Sequence, residues 1–319
     1  MGWPCRPTSW GNTLALGRAE FAAVANAVAQ FEPVTMVCAS DADADAARAL
    51  LCDRVEVLTH AMDGSWLRDN SPLFVTDGAR REARLFRFNA WGERHAFRDR
   101  DIATGRFLAE RYGDLVQTPD LVLEGGAIHT DGAGTLVLTE GCVMHPNRNW
   151  DRTREQVEET LRHALGAERV IWLPQGLEQD LDRAYGTDGH IDMFFDFIAP
   201  RRCFLLSVKP SDPNAVHLAH SRELLTSAGV EVVDFPYMSG FDADGRHVIA
   251  PYLNFYVCNG GVIVPLTGEE PDKDQAALAL IARHWPGREV IGVTMRAAPM
   301  QGGAIHCMTM QVPARRASG

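Results

Sequence analysis

The 319-residue sequence contains no GxGxxG fingerprint, Walker loop, HExxH or GxSxG motif. Those absences argue against a nucleotide-dependent enzyme, a zincin and a serine hydrolase built on a nucleophile elbow. No apolar run approaches the ~20 residues of a membrane-spanning helix. The opening MGWPCRPTSWG has neither the apolar core nor the twin arginine of an export signal. Positive charge is in deficit: 31 Lys and Arg against 42 Asp and Glu give −11, which disfavours nucleic-acid phosphates and anionic membrane surfaces as partners. A small cationic ligand is compatible with that balance, although excess acid also serves solubility. The seven cysteines (Cys5, Cys38, Cys52, Cys142, Cys203, Cys258 and Cys307) are odd in number, with no CxxC and no zinc-like spacing. Neither a disulfide framework nor a zinc site is expected, and no metal or cofactor is implied. The expectation is a cytoplasmic protein whose thiols stay reduced, most of them small buried hydrophobes. A functional cysteine must then be singled out by its neighbours.

The sequence is 46% hydrophobic, enough for one elaborate domain or two modest ones. Helix-then-strand units recur: Glu20 to Phe31 before VTMVCA, Thr153 to Leu165 before VIWLP, Ser221 to Ala228 before VEVVDFP, and Asp274 to Trp285 before EVIGVTM. Thr153 and Gln156 have the spacing of a capping box. Between these units lie apolar segments paired across turn residues. LFV and ARLFRF flank DG, AIHT and TLVLTE flank DGAG, NFYVC and VIVP flank NGG, and TDGHIDMFFDFIAP precedes CFLLSV. Each predicts a hairpin. Polar motifs at Asp69, Glu124, His190, Asn254 and Cys307 recur at intervals of roughly 50 to 65 residues, a repeat-architecture spacing. The string GGAIH occurs at Gly125 to His129 and again at Gly302 to His306. With no linker, low-complexity tract or long charge run, a single pseudo-symmetric domain over residues 1–319 is the expectation.

If GHID lies on a strand, alternate residues share a face, so His190 and Asp192 project into the same space. The same rule turns His306 away from its neighbour Cys307 and leaves His190 as the thiol's candidate base. An isolated HxD more often holds a satisfied core histidine and a turn aspartate. Asp69 in WLRDNSP and Glu124 in LVLEGG occupy apolar settings where an unpaired carboxylate is expensive. Their structural partners could be Arg68 and a backbone amide of the glycine turn. The combination carries more: three carboxylates, a histidine and a cysteine at equivalent points of different repeats would converge at the repeat axis. Gly125, Gly126, Gly189, Gly302 and Gly303 precede these groups and allow close backbone approach.

These residues sit in motifs that run the length of the chain. They are WPCRP from Trp3, FEPVTM from Phe31, WLRDNSPLFV from Trp66, FNAWGE from Phe88, LEGGAIH from Leu123, NRNW from Asn147, VIWLPQGL from Val170, GHID from Gly189, YLNFY from Tyr252 and GGAIHC from Gly302. On them the sequence resembles the agmatine deiminases, also called bacterial-type peptidyl-arginine deiminases, of the guanidino-group modifying (pentein) superfamily. The resemblance implies an α/β fold, a pseudo-five-fold propeller of ββαβ-like units around a central site. It also implies Cys307 as nucleophile and His190 as general acid/base. Glu124 would support the histidine or the guanidinium, Asp69 and Asp192 would clamp the guanidinium, and Trp66 would pack on the substrate chain. Ala304 stands where the family commonly has Asn, and Met193-Phe194-Phe195 where Asn and cysteines are common. The Arg94 to Thr104 segment is short and basic.

A guanidinium is a poor electrophile until carboxylates fix it in a desolvated pocket. There a bound cation favours a thiolate, and a nearby histidine can protonate the departing amine and later deprotonate water. The expected activity is hydrolysis of a small guanidine, agmatine first, to a ureido product and ammonia. Alternatives are another guanidine, amidino transfer to an amine, a non-catalytic guanidine or polyamine binder, or a thiol protease. A binder has no need of a thiol with a histidine. Self-association into a homo-oligomer is left open by the sequence.

Overall fold

The computed structural model describes residues 1–96, 98–181, 186–237, 239–243, 246–250 and 252–315, with backbone alone at 239–243 and 246–250. Its secondary structure is α/β, and its strands form small separate sheets. Four of these share one plan. Strands β3 (Leu73–Thr76) and β4 (Arg81–Arg84) form an antiparallel hairpin, the helix Asp99–Tyr112 crosses, and β5 (Leu115–Gln117) returns parallel to β4. The plan repeats with β6 (Ile128–Thr130), β7 (Thr135–Thr139), the helix Arg154–Leu165 and β8 (Arg169–Leu173). It repeats again with β9 (Phe195–Ala199), β10 (Arg202–Leu206), the helix Ala215–Ser227 and β11 (Glu231–Phe235). After the hairpin of β12 (Ser239–Ala243) and β13 (Arg246–Ala250), the fourth copy comprises β14 (Tyr256–Cys258), β15 (Gly261–Leu266), the helix Pro271–His284 and β16 (Glu289–Thr294). A fifth, reduced unit opens the chain. There β1 (Val34–Cys38) pairs in parallel with β2 (Val55–Thr59) across the helix Asp41–Arg48, and Gly2 bridges to Val37.

In three of the four full units the middle strand is the buried one. All of β7 and nearly all of β10 and β15 are inaccessible and mostly apolar, so these three sheets bury their centres, whereas β4, Arg81–Arg84, is only half buried. The predicted capping box is present: Gln156 N–H donates to Thr153 Oγ1 at 3.3 Å and Thr153 N–H to Gln156 Oε1 at 2.8 Å. The expected hairpins form, but the helix Asp99–Tyr112 and strand β2 are additions to the sequence reading. The helix Asp99–Tyr112 is rich in charge and buries only small or polar residues and one leucine, so it lacks a strong apolar stripe. No helix among the described residues is long and apolar enough to cross a membrane.

The ends of the chain are joined through one carboxylate. Glu20, on the helix Leu14–Val28 and 5% exposed, accepts from the backbone N–H groups of Arg296, Ala297 and Ala298 at 2.6, 2.8 and 2.9 Å. That segment follows β16 and leads to the turn before Gly302 and Cys307, so the carboxylate anchors the approach to the second GGAIH. Glu20→Ala strands three backbone donors, two of them buried, and should lower unfolding free energy by about 2–4 kcal/mol. Urea denaturation of the variant checks this, and a loss below about 1 kcal/mol would contradict the assignment.

Candidate active site

The residues singled out from sequence are brought together, but on different local structure. His190 precedes a single 3-10 turn, Ile191–Met193, and Cys307 lies in a short helical turn, Ile305–Met308. Neither is on a strand, so the expectation that strand alternation pairs His190 with Asp192 and separates His306 from Cys307 is overturned. The first GGAIH does lead into β6; the second enters a helix. Asp69 is in the turn Leu67–Asn70, and Glu124 immediately precedes the turn Gly125–Ala127. Short turns put adjacent side chains about a quarter-turn apart, so His306 and Cys307 can both address Asp192.

Gly126 is the point of convergence. A Cβ there would stand 2.6 Å from His190 Nδ1, 2.9 Å from Asp192 Oδ2 and 3.0 Å from Asp69 Oδ1. Only a glycine leaves room for these three groups. Its N–H donates to Asp69 Oδ1 at 2.9 Å, and Trp91 Nε1 donates to Asp69 Oδ2 at 2.8 Å. Arg68, a conceivable partner of Asp69 from the sequence, instead donates to the His306 carbonyl at 3.2 Å and to Gln311 Oε1 at 2.8 Å. The nearby cation is His190, whose Nδ1 lies 3.9 Å from Asp69 Oδ1, beyond hydrogen-bond reach. Burial, outweighing the help of His190 and joined by the charge of Asp192, pushes its carboxyl up to about 6.

Asp192 is 1% exposed. Its Oδ2 lies 2.7 Å from His306 Nδ1 and 3.6 Å from Cys307 Sγ, whereas Oδ1 has no hydrogen-bond partner among the described residues. Despite burial, its carboxyl is held below the usual range by His306, His190 and His129. Cys307 is held on its other side by Asn254, whose Nδ2 lies 3.3 Å from Sγ and 3.1 Å from the Asp192 carbonyl. Asn254 Oδ1 accepts from His306 N–H at 3.0 Å. Burial and the charges of Asp192 and Asp69 drive the thiol pKa well above its ordinary value, so Cys307 is a thiol when the pocket holds no cation.

His190 stands between these carboxylates and a second ionic group. Its Nδ1 is 3.9 Å from Asp69 Oδ1 and its Nε2 is 3.9 Å from Glu124 Oε2. Burial opposes its charge, but Asp69, Cys142 and Glu124 outweigh burial and hold the pKa well above the usual histidine value. Glu124 finds its counter-ion in Arg148, not in the backbone amide that the glycine turn suggested. Arg148 Nε donates to both Glu124 oxygens at 3.0 Å, and Nη1 donates to Asp188 Oδ2 at 2.7 Å. Arg94 closes the row by binding Asp188. Burial works against the charge of Glu124, yet Arg148 and His190 bring its carboxyl down to about 2. Glu124, Cys142 and His190 also bring their donor atoms within 4.8 Å of one another, a spacing a metal ion could bridge. Arg148 already supplies the cation there, so a divalent ion would meet a neutralised carboxylate and a guanidinium.

A cavity of about 350 Å³ opens over Cys307, lined by Asp69, His190, Asp192, Trp66 and Trp91, with Arg6, Asp63 and His95 farther out. Trp66 is partly buried and stacks on Trp10 with centroids 6.1 Å apart, so it serves as wall and core together. Met193, at a position where the sequence departs from the family pattern, is also on the wall; Ala304 is fully buried beneath the nucleophile turn.

Several members of the site carried little signal. Asp180, 4% exposed, accepts from the backbone of Thr187, Gly189 and His190 at 3.0, 2.9 and 2.9 Å and fixes the entry to the histidine. Gly189 makes that entry with φ +102, its α-carbon packed against Gly176. Trp91 is presented by four consecutive left-handed residues, Ala90, Trp91, Gly92 and Glu93, held by Asn89, whose Oδ1 accepts from Gly92 N–H at 2.8 Å. Asn89 N-cap chemistry before Gly was readable in FNAWGE; the handedness was not. Arg148 sat inside a matched motif, NRNW, with nothing local to mark it as buried.

The sequence model of the Porphyromonas-type peptidyl-arginine deiminase family matches residues 1–313. The chain is 38% identical to the agmatine deiminase of Stutzerimonas stutzeri over 347 aligned positions, covering 98% of this chain and 92% of that protein. Its fold is similar to that of the agmatine deiminase of Enterococcus faecalis, with a TM-score of 0.88 at 28% identity, covering 99% of this chain and 93% of the other. A C. jejuni agmatine deiminase solved with substrate bound shares the fold at a TM-score of 0.86 and 24% identity, covering 96% of this chain and 90% of that one.

The Arg148 network gives a stability prediction with a defined pH dependence. Glu124 is depressed from 4.5 to about 2 in the fold, so its contribution is complete above about 4.5 and is lost as pH falls toward 2. Arg148→Met leaves Glu124 without its buried guanidinium, Asp188 keeping Arg94, and should cost about 3–5 kcal/mol at neutral pH. The deficit should shrink at about pH 4, where an unpaired buried carboxyl takes up a proton. Denaturant titrations at the two pH values measure both, and an equal deficit at each would contradict the ionic account.

Proposed function

Since the chain belongs to the Porphyromonas-type peptidyl-arginine deiminase family, we propose that it hydrolyses the guanidinium of agmatine to N-carbamoylputrescine and ammonia through a covalent intermediate on Cys307. One observation carries this reading. Asp192 presents a buried carboxylate oxygen with no hydrogen-bond partner among the described residues, beside Asp69, whose carboxyl burial pushes up to about 6, and both border the same cysteine. Two such carboxylates need a planar, multi-donor cation.

A guanidinium between Asp69 and Asp192 neutralises the charges that keep Cys307 protonated. The thiol then gives its proton to solvent, and the thiolate, with Asn254 Nδ2 3.3 Å from sulfur, attacks the central guanidinium carbon. An S–C bond forms and the carbon becomes tetrahedral. His190, charged at neutral pH by its carboxylate neighbours, donates a proton to one nitrogen, and the C–N bond breaks to release ammonia. The product of this half-reaction is an S-alkylthiouronium. Neutral His190 next takes a proton from water, hydroxide attacks the same carbon, and the C–S bond breaks to return the thiolate as the new hydroxyl gives its proton to solvent and becomes the ureido carbonyl. Glu124 stabilises the histidine cation and is itself fixed by Arg148. The ureido product is uncharged, so it loses the attraction of both carboxylates, which favours release.

Trp66 is assigned to the substrate chain, on the strength of its place in the cavity wall. The four ββαβ units and the reduced N-terminal unit support a single domain arranged as a pseudo-five-fold propeller with this site at its centre. The partner is therefore a small guanidine, and hydrolysis is preferred to amidino transfer because the mechanism needs no acceptor amine.

Incubation with agmatine should release one ammonia per ureido product, and Cys307→Ser should reduce turnover by at least about 10³-fold. Turnover of other guanidines with none of agmatine would overturn the substrate; retention of activity in Cys307→Ser would overturn the mechanism. Asp69→Asn separates function from stability. Because the folded carboxyl is raised from 3.8 to about 6, its ionised form costs stability that appears as pH rises through that range. The variant should be inactive but about 1–3 kcal/mol more stable at about pH 8, with the gain vanishing near about pH 4. Thermal denaturation at the two pH values decides it, and a destabilised variant at about pH 8 would contradict the reading.

A further inference from the structure

The two copies of GGAIH bring their histidines face to face. The rings of His129, on β6, and His306, in the turn that carries Cys307, lie with centroids 5.1 Å apart and planes 20° from parallel. His306 Nδ1 is 2.7 Å from Asp192 Oδ2. Its backbone N–H is held by Asn254 Oδ1 at 3.0 Å, and its carbonyl by Arg68 Nε at 3.2 Å. The ring is thus fixed through its backbone, across one face and at Nδ1. Behind it, His129 Nδ1 lies 3.6 Å from Asp196 Oδ1, so a buried polar row runs from Cys307 through Asp192, His306 and His129 to Asp196.

We infer that His306 is a positioning residue, whose ring donates from Nδ1 to Asp192 Oδ2 and so holds that carboxylate with Oδ1 left for the guanidinium. It rests on the reading of Asp192 as half of the guanidinium clamp. The chemistry of each atom fits. With Oδ2 engaged by an N–H donor, the carboxylate cannot rotate freely about its Cβ–Cγ bond, and its Oδ1 has no hydrogen-bond partner among the described residues. Burial, with Arg68 adding to it, lowers the His306 pKa to about 4 against the pull of Asp192, and burial lowers His129 to about 3. Both rings are therefore uncharged at neutral pH and can stack without repulsion. An uncharged donor also matters for the clamp: an imidazolium on Oδ2 would neutralise the carboxylate that the substrate needs. His306 forms no hydrogen bond to Cys307 Sγ among the described residues, so it acts through Asp192 and is not the thiol's base.

His306→Leu removes the donor while retaining bulk against His129, and His306→Asn keeps an N–H donor near the position of Nδ1. The Leu variant should lose about 10²-fold in kcat/KM for agmatine, chiefly through KM, since the loss is one of orientation in the bound state. The Asn variant should recover most of that loss. The acid limb of the kcat/KM profile should move to higher pH in the Leu variant, because Asp192 loses the bond that helps hold its carboxyl low. The charged and titratable groups facing Asp192 are otherwise unchanged: His190, His129, Asp69, Asp196, Cys307 and Arg68.

Asp192→Asn serves as the control that separates this inference from the reading beneath it. Wild-type kinetics in Asp192→Asn would remove the clamp itself. Inactivity of Asp192→Asn together with wild-type kinetics in His306→Leu would leave the clamp and overturn the positioning role. Asn no better than Leu would also overturn it, since the donor would then be immaterial. If the Leu variant does not fold, ¹⁵N spectra of the wild-type imidazoles, assigned by difference from His306→Asn, decide the matter. A neutral Nδ1–H tautomer for His306 supports the inference, and an Nε2–H tautomer or an imidazolium overturns it.

Discussion

The site depends on an electrostatic conflict: two buried carboxylates, Asp69 and Asp192, share the surroundings of one glycine and one thiol with a single histidine cation, His190, to offset them. Buried charge of this kind is tolerated only where something else stabilises the fold or a ligand completes the site. Here the surrounding chain supplies partial compensation only. Asp69 receives one backbone and one indole N–H, and Asp192 one imidazole and a weak thiol contact, which leaves an oxygen unpaired. Much of the local architecture follows from this. Gly126 must lack a side chain, Trp91 must be delivered from an unfavourable left-handed turn, and the nucleophile must wait as a thiol.

Across His190 the balance reverses. Glu124 and Asp188 are fully served by Arg148 and its neighbours, and both carboxyls are drawn down to about 2. The histidine therefore separates an over-negative compartment that recruits a cation from a neutralised one that keeps its own proton in place. A positively charged histidine beside an uncharged thiol is the expected resting state. The arriving guanidinium then changes the ionisation of the thiol more than that of the histidine, because it lands between the carboxylates that suppress the thiolate.

Much of this was legible in sequence, and for identifiable reasons. DG, DGAG and NGG mark hairpins because their turns demand residues tolerant of unusual φ, and the apolar runs after DGAG and NGG become buried middle strands. Recurrence of polar residues at unit boundaries correctly singled out Asp69, Glu124, His190 and Cys307 as neighbours in space, and literal repetition flagged GGAIH. The inference from strand alternation failed because each polar motif occupies a turn before or after a strand, where the two-residue period does not hold. That failure set His306 aside, although its ring touches Asp192. Arg148 and Asp180 were missed for a different reason. Their partners lie 24 and 40 residues away in one case and up to 10 in the other, and nothing in the local pattern distinguishes a buried ion from a solvated one.

The most direct test of cation-dependent thiolate formation is the ultraviolet thiolate absorbance of His190→Ala during a titration with agmatine at neutral pH, with Cys307→Ser in the same background as blank. Removal of the acid that expels ammonia allows the bound state to be observed. The account predicts a saturable rise equivalent to one thiolate per chain, present only with Cys307 and abolished by Asp192→Asn. Agmatine that binds to saturation without any thiolate signal would contradict it.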